Sequence, residues 1–175
     1  DVAPKPTSYY GVTKLAAENL ELAHRRDSAF PTILLRYFSV YGTGQRPDMA
    51  YRKFIGKALA GETITLFGTG EQTRSNTYID DCVNSTISAL SRSAPGEIYN
   101  ISGQEERSIS EALGIIETEV GRTIMIERLP AARGDQLRTA GDSSKAQEAL
   151  GFTHTMSLEA GLARQVQWQR SLAHQ

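Results

Sequence analysis

The stretch PTSYYGVTK, residues 6–14, sets a tyrosine and a lysine four positions apart at the start of a predicted helix, residues 8–26. A proline and two hydroxyl residues give a helix-start signal, and apolar positions recur behind it. The spacing puts Tyr10 and Lys14 on one face, and an ammonium favours the ionised form of a nearby tyrosine hydroxyl. Such a hydroxyl can take a proton from an alcohol. Tyr9 is the weaker candidate because its i+4 partner is an uncharged threonine. Taken alone, the pair also fits an ordinary solvated helix face.

The composition is that of a soluble globular chain of one domain. Of 175 residues, 39% are apolar and 22% charged, and the net charge of −1 gives no electrostatic case for a nucleic-acid or membrane partner. No apolar run approaches the roughly 20 residues that span a bilayer. The single cysteine, Cys82, excludes an intrachain disulfide framework, is expected to be buried, and favours a cytoplasmic location. The three histidines lie far apart, so no metal site is expected.

Predicted helices and strands alternate along the chain, which indicates an α/β fold with parallel crossovers. Glycines and a proline in residues 41–48 favour a turn without regular structure. Ser108 and Glu111 have the spacing of a capping box. Strands are predicted at residues 32–38, 63–67, 97–102 and 124–129, and further helices at 49–60, from 77–81 through Leu90, at 108–120, 143–150 and 157–172.

Five segments resemble, in order, the extended short-chain dehydrogenases, specifically the nucleotide-sugar epimerases and dehydratases. SYYGVTKLAAENL is similar to the Tyr-x-x-x-Lys helix of that family. The others are LLRYFSVYGTGQRPDM, GETITLFGTGEQTRSNTYIDDCV, GEIYNISG and RGDQLRTAGDSSKAQEALGF. The resemblance runs from about residue 8 to residue 170. It implies the C-terminal part of an extended Rossmann-type enzyme, with late parallel strands and a small substrate-binding α/β region.

One part of the family pattern has no match in this sequence. The family binds NAD through a Gly-x-x-Gly-x-x-Gly turn after its first strand. The stretch GTGEQTR lacks the third glycine and a following helix, and the family's catalytic serine or threonine lies upstream of the tyrosine. We therefore expect residues 1–175 to be the C-terminal half of an enzyme, with the NAD-binding part outside the chain and no activity in the piece alone.

The resemblance also assigns roles around the catalytic helix. It makes Tyr10 the acid and base, and Lys14 the residue that activates it and bonds the nicotinamide ribose of NAD. Tyr37 and Ser39 are expected to contact the cofactor, and Ser39 the substrate as well. The family usually has asparagine at that position, and relatives acting on UDP-glucuronate tolerate a small hydroxyl residue there. The neighbouring Arg36 is expected to form a structural ion pair.

Substrate contacts are implied at several further positions. Phe67 matches a residue that packs against the nucleotide base, with core packing as the alternative. Arg74 matches an arginine that reaches the diphosphate, a role that suits a guanidinium, with a solvated loop arginine as the alternative. The loop that carries Arg46 and Asp48 is expected to line the sugar pocket.

The closing loop of the family also has a partial match. The family pattern is often Arg-x-Gly-Asp, whereas Arg133 here stands one place closer to the glycine. Arg133 is assigned to phosphate, with Arg138 as a substitute, and Asp135 to a ribose hydroxyl.

These matches lead to an expected function. The expected enzyme is an NAD-dependent 4-epimerase of UDP-glucose or UDP-glucuronate that works through a 4-keto intermediate. A decarboxylase or 4,6-dehydratase of the same family, and a non-catalytic nucleotide-sugar-binding fragment, are the alternatives. A cytoplasmic homodimer through residues 8–26 is expected, with Leu15 and Leu22 either in the interface or in the core.

Overall fold

The structure, a computed structural model, describes residues 4–131 and 136–172. Helices and strands alternate through these residues. The helices are α1 Tyr9–Ser28, α2 Ala50–Ala60, α3 Ile79–Arg92, α4 Ile109–Val120, α5 Ser144–Leu150 and α6 Leu158–Leu172. The strands are β1 Leu34–Tyr37, β2 Val40–Tyr41, β3 Ile64–Phe67, β4 Thr73–Ser75, β5 Thr77–Tyr78, β6 Ile98–Ile101, β7 Glu106–Ser108, β8 Ile126–Leu129 and β9 Arg138–Thr139.

The helix starts follow the local signals in the sequence. The Ser8 hydroxyl accepts the Gly11 N–H at 3.1 Å and caps α1. At α4, Ser108 and Glu111 form the predicted capping box, in which each side chain bonds the backbone N–H of the other. These bonds satisfy N–H groups that a helix start leaves without partners.

Parallel pairing dominates the sheets, which confirms the predicted α/β fold. The parallel pairs are β1 with β6, β2 with β5, and β3 with β8, while β4 lies between antiparallel β7 and parallel β9. The prediction that residues 41–48 lack regular structure was wrong at one end. Tyr41 belongs to β2, a strand of two residues whose partner Thr77–Tyr78 lies far along the chain.

A large core forms between α2, α4, α6 and β3. Its buried aromatic members, Tyr41, Tyr51 and Tyr78, meet edge to face at ring-centroid distances of 5.7 and 5.5 Å. Such geometry is preferred by aromatic quadrupoles. The aliphatic members are Ile55, Ala58, Ile64, Leu66, Ala112, Leu113, Ile116, Val120, Ile124, Leu158, Leu162 and Val166.

A small core lies between α3, α5 and the β1–β6 pair. Its buried members are Cys82, Ala89, Tyr99, Ile101, Ala146, Leu150 and Phe152. Burial raises the pKa of the Cys82 thiol to about 12, so the thiol stays protonated at neutral pH. The expectation of a buried cysteine is confirmed.

Helix α1 lies outside both cores and contains no buried residue. Leu15 and Leu22 are half-buried, whereas Leu20 is 70% exposed. A bidentate ion pair from Arg36 to Glu18 connects α1 to β1, which confirms the structural ion pair expected for Arg36. Among the described helices, none combines the length and apolarity that crossing a membrane requires.

Candidate functional site

The Tyr10–Lys14 pair lies on the first two turns of α1. The Lys14 ammonium is 5.6 Å from the centroid of the Tyr10 ring, and the Tyr10 side chain is 71% exposed. Within residues 4–131 and 136–172, neither the hydroxyl nor the ammonium has a hydrogen-bond or ion-pair partner. The helix therefore brings the two groups together as their spacing predicts and leaves both accessible to a ligand.

The two residues predicted to contact the cofactor, Tyr37 and Ser39, lie at the carboxyl end of β1. The Tyr37 hydroxyl lies 2.6 Å from the Thr86 hydroxyl on α3. Ser39, between β1 and β2, has φ +37°, in the left-handed region. Asparagine adopts that region more easily than serine. The asparagine usual in the family would therefore suit this backbone, and Ser39 holds it at some cost.

A turn of residues 42–48 follows β2 and carries the predicted sugar-pocket residues. The Arg46 guanidinium bonds both carboxylate oxygens of Asp48, at 3.1 and 2.9 Å, and both side chains are exposed. The turn lines a cavity of about 280 Å³ together with Met49 and Ile79. Arg46 thus lies at the rim of a cavity formed by β2, the turn and the starts of α2 and α3.

Arg74 on β4 has a second arginine opposite it. In the antiparallel ladder Arg74 pairs with Arg107 of β7, so both side chains start from the same face of the sheet. The Arg74 guanidinium donates to the Thr73 carbonyl at 2.8 Å. A guanidinium such as that of Arg74 suits an anionic group such as a diphosphate. Sequence analysis missed Arg107 because its proximity to Arg74 follows from strand register.

Carboxylates surround Arg107. Glu105 and Glu111 lie at 3.5 and 3.1 Å, and Glu159 of α6 accepts a further hydrogen bond. The bond to Glu159 is the main reason why the pKa of Arg107 lies above its ordinary value. Arg107 is therefore held firmly in place beside Arg74.

Phe67 ends β3, with Leu129 of β8 as its register partner. Its side chain is 48% exposed, which excludes the core-packing alternative. Part of the ring is therefore available to a flat ligand such as a nucleotide base.

The remaining residues predicted to contact the substrate are Arg133, Asp135 and the substitute Arg138. Arg133 and Asp135 lie outside the described residues. Arg138, the proposed substitute for Arg133, forms a bidentate ion pair with Glu106, so its guanidinium already has a carboxylate partner. Gln136 donates to the Thr7 hydroxyl at 3.2 Å and so connects the chain after residue 135 to the residues just before α1. No group of three metal-ligating side chains occurs in the parts of the chain that the structure describes.

A catalytic-type tyrosine–lysine helix and a parallel sheet define a Rossmann-type short-chain dehydrogenase fold, and comparison with known proteins agrees. The NAD dependent epimerase/dehydratase family matches residues 1–102. The uncharacterized UDP-glucose epimerase YtcB of Bacillus subtilis is 37% identical over 168 residues, 95% of this chain and 53% of that protein. UDP-glucuronic acid decarboxylase 1 of Danio rerio is 31% identical over 97% of this chain and 41% of that protein.

Solved structures agree with these relatives. The UDP-glucuronic acid 4-epimerase of Bacillus cereus, crystallised with UDP-glucuronic acid and NAD, superimposes with a TM-score of 0.94 and 39% identity. The match covers 98% of this chain and 55% of that one. This chain belongs to the NAD dependent epimerase/dehydratase family, and it spans about half the length of the relatives it matches. The predicted resemblance is confirmed, and so is NAD as the cofactor of the family.

Proposed function

We propose that this chain supplies the proton-transfer and substrate-binding residues of an NAD-dependent 4-epimerase of a UDP-sugar. The observation that carries the proposal is the Tyr10–Lys14 pair, side by side on an exposed helix face in a chain of this family. Its reaction is the inversion of the configuration at C4 through a 4-keto intermediate. The residues below are assigned on that basis.

Tyr10 is the group that moves the proton. An ammonium beside a phenol favours the phenolate, which can accept the proton of the C4 hydroxyl and later return it. When bound, NAD supplies the acceptor and donor of hydride. The Tyr10 ring and the Lys14 ammonium are neighbours on one helix face, and neither polar group has a protein partner among the described residues, so this donor set fits the hydroxyl groups of a nicotinamide ribose. Tyr37 and Ser39, at the end of β1, are the further proposed cofactor contacts.

The substrate is held through its base, phosphates and sugar. We assign the base to the exposed part of the Phe67 ring and the diphosphate to Arg74, next to the anchored Arg107. Arg133 and Asp135 remain proposed contacts to phosphate and ribose. Ser39 and Arg46 are assigned to the sugar.

Among UDP-sugars, UDP-glucuronate is the proposed substrate ahead of UDP-glucose. Arg46 lines its cavity, and its ion pair with Asp48 joins two exposed side chains, so it is weak enough to be exchanged for a ligand carboxylate. A sugar carboxylate offers the same planar pair of oxygens. The small hydroxyl side chain of Ser39 agrees with this choice.

Decarboxylation of UDP-glucuronate is the second candidate, and the likeness to a decarboxylase supports it. It begins with the same oxidation at C4, and the products separate the two reactions. The 4,6-dehydratase alternative would release water instead. Binding without turnover is the remaining alternative.

The test uses the full-length protein, with its NAD-binding part, together with NAD and, in separate reactions, UDP-glucuronate and UDP-glucose. Chromatography and NMR of the products should show UDP-galacturonate from the first. If a UDP-pentose forms with release of CO₂ instead, the reaction is a decarboxylation and not an epimerisation. Binding of UDP-glucuronate without any new product would leave only the binding function.

A homodimer through α1 is proposed as well. Leu15 and Leu22 face the rest of the chain and are half-buried, so the exposed Val12 and Leu20 are better placed to contact a second copy. Light scattering should give twice the chain mass, and Leu20→Glu should return it to the mass of one chain. A monomeric mass for the unaltered protein would rule this interface out.

A further inference from the structure

The core-facing side of α6 contains two glutamines among its apolar residues. Leu158, Leu162 and Val166 pack into the large core, yet Gln165 beside them has 0% exposure and Gln169 has 7%. A buried amide costs free energy unless its groups are hydrogen-bonded. The partners of these two amides therefore indicate what they do.

Both ends of the Gln165 side-chain amide form hydrogen bonds with the turn that follows β2. Its Oε1 accepts the Gly42 N–H at 3.0 Å, and its Nε2 donates to Oε1 of Gln45 at 2.8 Å. Gly42 and Gln45 are the first and fourth residues of the turn between β2 and α2. A single buried side chain thus holds the beginning and the middle of this turn.

Gln45 extends the connection to both neighbouring elements. Its Nε2 donates to the Val40 carbonyl of β2 at 3.1 Å, and its Oε1 accepts the Arg52 N–H of α2 at 3.0 Å. Gln169 donates to the Arg52 carbonyl at 3.1 Å. These bonds join α6 to the start of β2, the turn and the first turn of α2.

The turn held by Gln165 also lines the cavity of about 280 Å³. Arg46 lines this cavity, and its guanidinium bonds Asp48 and Met49, both close to it in the chain. Arg46 directly follows Gln45 in the chain. The direction in which Arg46 leaves the backbone is therefore set by the bonds that hold Gln45.

We propose that Gln165 is a positioning residue that fixes the 42–46 turn and thereby aims Arg46 at the sugar. It makes the site select a UDP-sugar with a carboxylate over a neutral one. The identity of the ligand in this inference rests on the proposed function. The ordering of the turn stands on the hydrogen bonds alone.

The first test measures the turn without ligand. The Gly42 amide should be protected from hydrogen exchange in the unaltered chain, and Gln165→Leu should speed its exchange by roughly tenfold or more. The matched control is Gln167→Leu, the same change at an exposed position of the same helix, and it should leave the rate unchanged. Equal rates in all three proteins would overturn the proposal.

The second test measures selectivity by calorimetry with UDP, UDP-glucose and UDP-glucuronate. Gln165→Leu should weaken the binding of UDP-glucuronate by roughly tenfold, the size of one lost charge-assisted contact. The affinities for UDP and UDP-glucose should change by less than about twofold. In an Arg46→Ala background, Gln165→Leu should cause no further loss for UDP-glucuronate. Equal losses for all three ligands would mean that Gln165 acts only on the fold, and the proposal would fail.

A third measurement covers the case in which Gln165→Leu does not fold. In the unaltered chain, the side-chain NH₂ signal of Gln165 should shift on addition of UDP-glucuronate and stay in place with UDP. A signal that responds to neither ligand, although both bind, would overturn the proposal. If the chain binds no UDP compound at all, the proposed function fails, and so does the selectivity, while the exchange experiment still decides whether Gln165 orders the turn.

Discussion

The large core and helix α1 are held in place by different means. The large core encloses side chains from α2, α4, α6 and β3 that are fully removed from solvent. Helix α1 has no buried residue, and the ion pair between Glu18 and Arg36 connects it to β1. Yet α1 carries the proposed catalytic pair. The stability of the chain and its proposed chemistry therefore reside in different elements, and substitutions should separate them.

The largest difference is expected between Leu162→Ala and Leu20→Ala. Leu162 is 0% exposed in the large core, so its truncation leaves a cavity and should lower the free energy of unfolding by about 2–5 kcal/mol. Leu20 is 70% exposed on α1, so the same change should stay within about 0.5 kcal/mol. Urea denaturation of the two variants checks both values. Similar losses would mean that α1 is buried in solution.

Asp81 connects the two cores and should give the next largest effect. This carboxylate, 2% exposed on α3, accepts the Thr155 N–H at 3.1 Å and the Thr155 hydroxyl, just before α6. His154 lies 3.6 Å from it. Asp81→Asn places an NH₂ group against these donors and should cost about 2–4 kcal/mol.

The neighbouring Asp80 provides the control for this prediction. It lies on the exposed side of α3, 3.7 Å from Arg164. Asp80→Asn should change the free energy of unfolding by less than about 1 kcal/mol, as expected of a surface ion pair. Equal effects at the two positions in thermal denaturation would show that Asp81 does not join the cores.

A smaller effect is expected at Ser39, at the end of β1. Its φ of +37° is strained for serine and easier for asparagine. Ser39→Asn should therefore raise the free energy of unfolding by about 0.5–1 kcal/mol. Ser39→Ala keeps the strain and should give no gain. A loss of stability in Ser39→Asn would show that the hydroxyl is needed for folding.

The smallest effect concerns the helix caps. The Ser108 backbone N–H holds the pKa of the Glu111 carboxyl below its ordinary value. A carboxyl with a lowered folded-state pKa stabilises the fold above its unfolded pKa, and that contribution is lost as the pH falls through the folded value. The free energy of unfolding should thus depend slightly less on pH between about pH 6 and pH 3 in Glu111→Gln, and the difference should be small because this half-exposed carboxyl is screened by solvent. An unchanged pH dependence would show that the Glu111 carboxylate does not stabilise the cap.

Local spacing was enough to predict the helices, the capping box at Ser108 and the Tyr10–Lys14 pair, because each depends on residues within one or two turns. The β2 strand was missed because two residues form a strand only through a partner far along the chain. Arg107 beside Arg74 depends on strand register in the same way. Gln165 could have been noticed as a polar residue on the apolar side of a predicted helix, but its partners depend on the fold.

The central claim is that Tyr10 transfers the proton, and its neighbour Tyr9 offers the most direct test. Both tyrosines are exposed at the start of α1, and Lys14 lies beside Tyr10. In the full-length protein, with its NAD-binding part, turnover of UDP-glucuronate with NAD should fall by roughly 10²–10⁴-fold in Tyr10→Phe, the usual contribution of a general acid–base group. Tyr9→Phe should keep its turnover, and neither change should alter the melting temperature. Unaltered turnover in Tyr10→Phe would contradict the account.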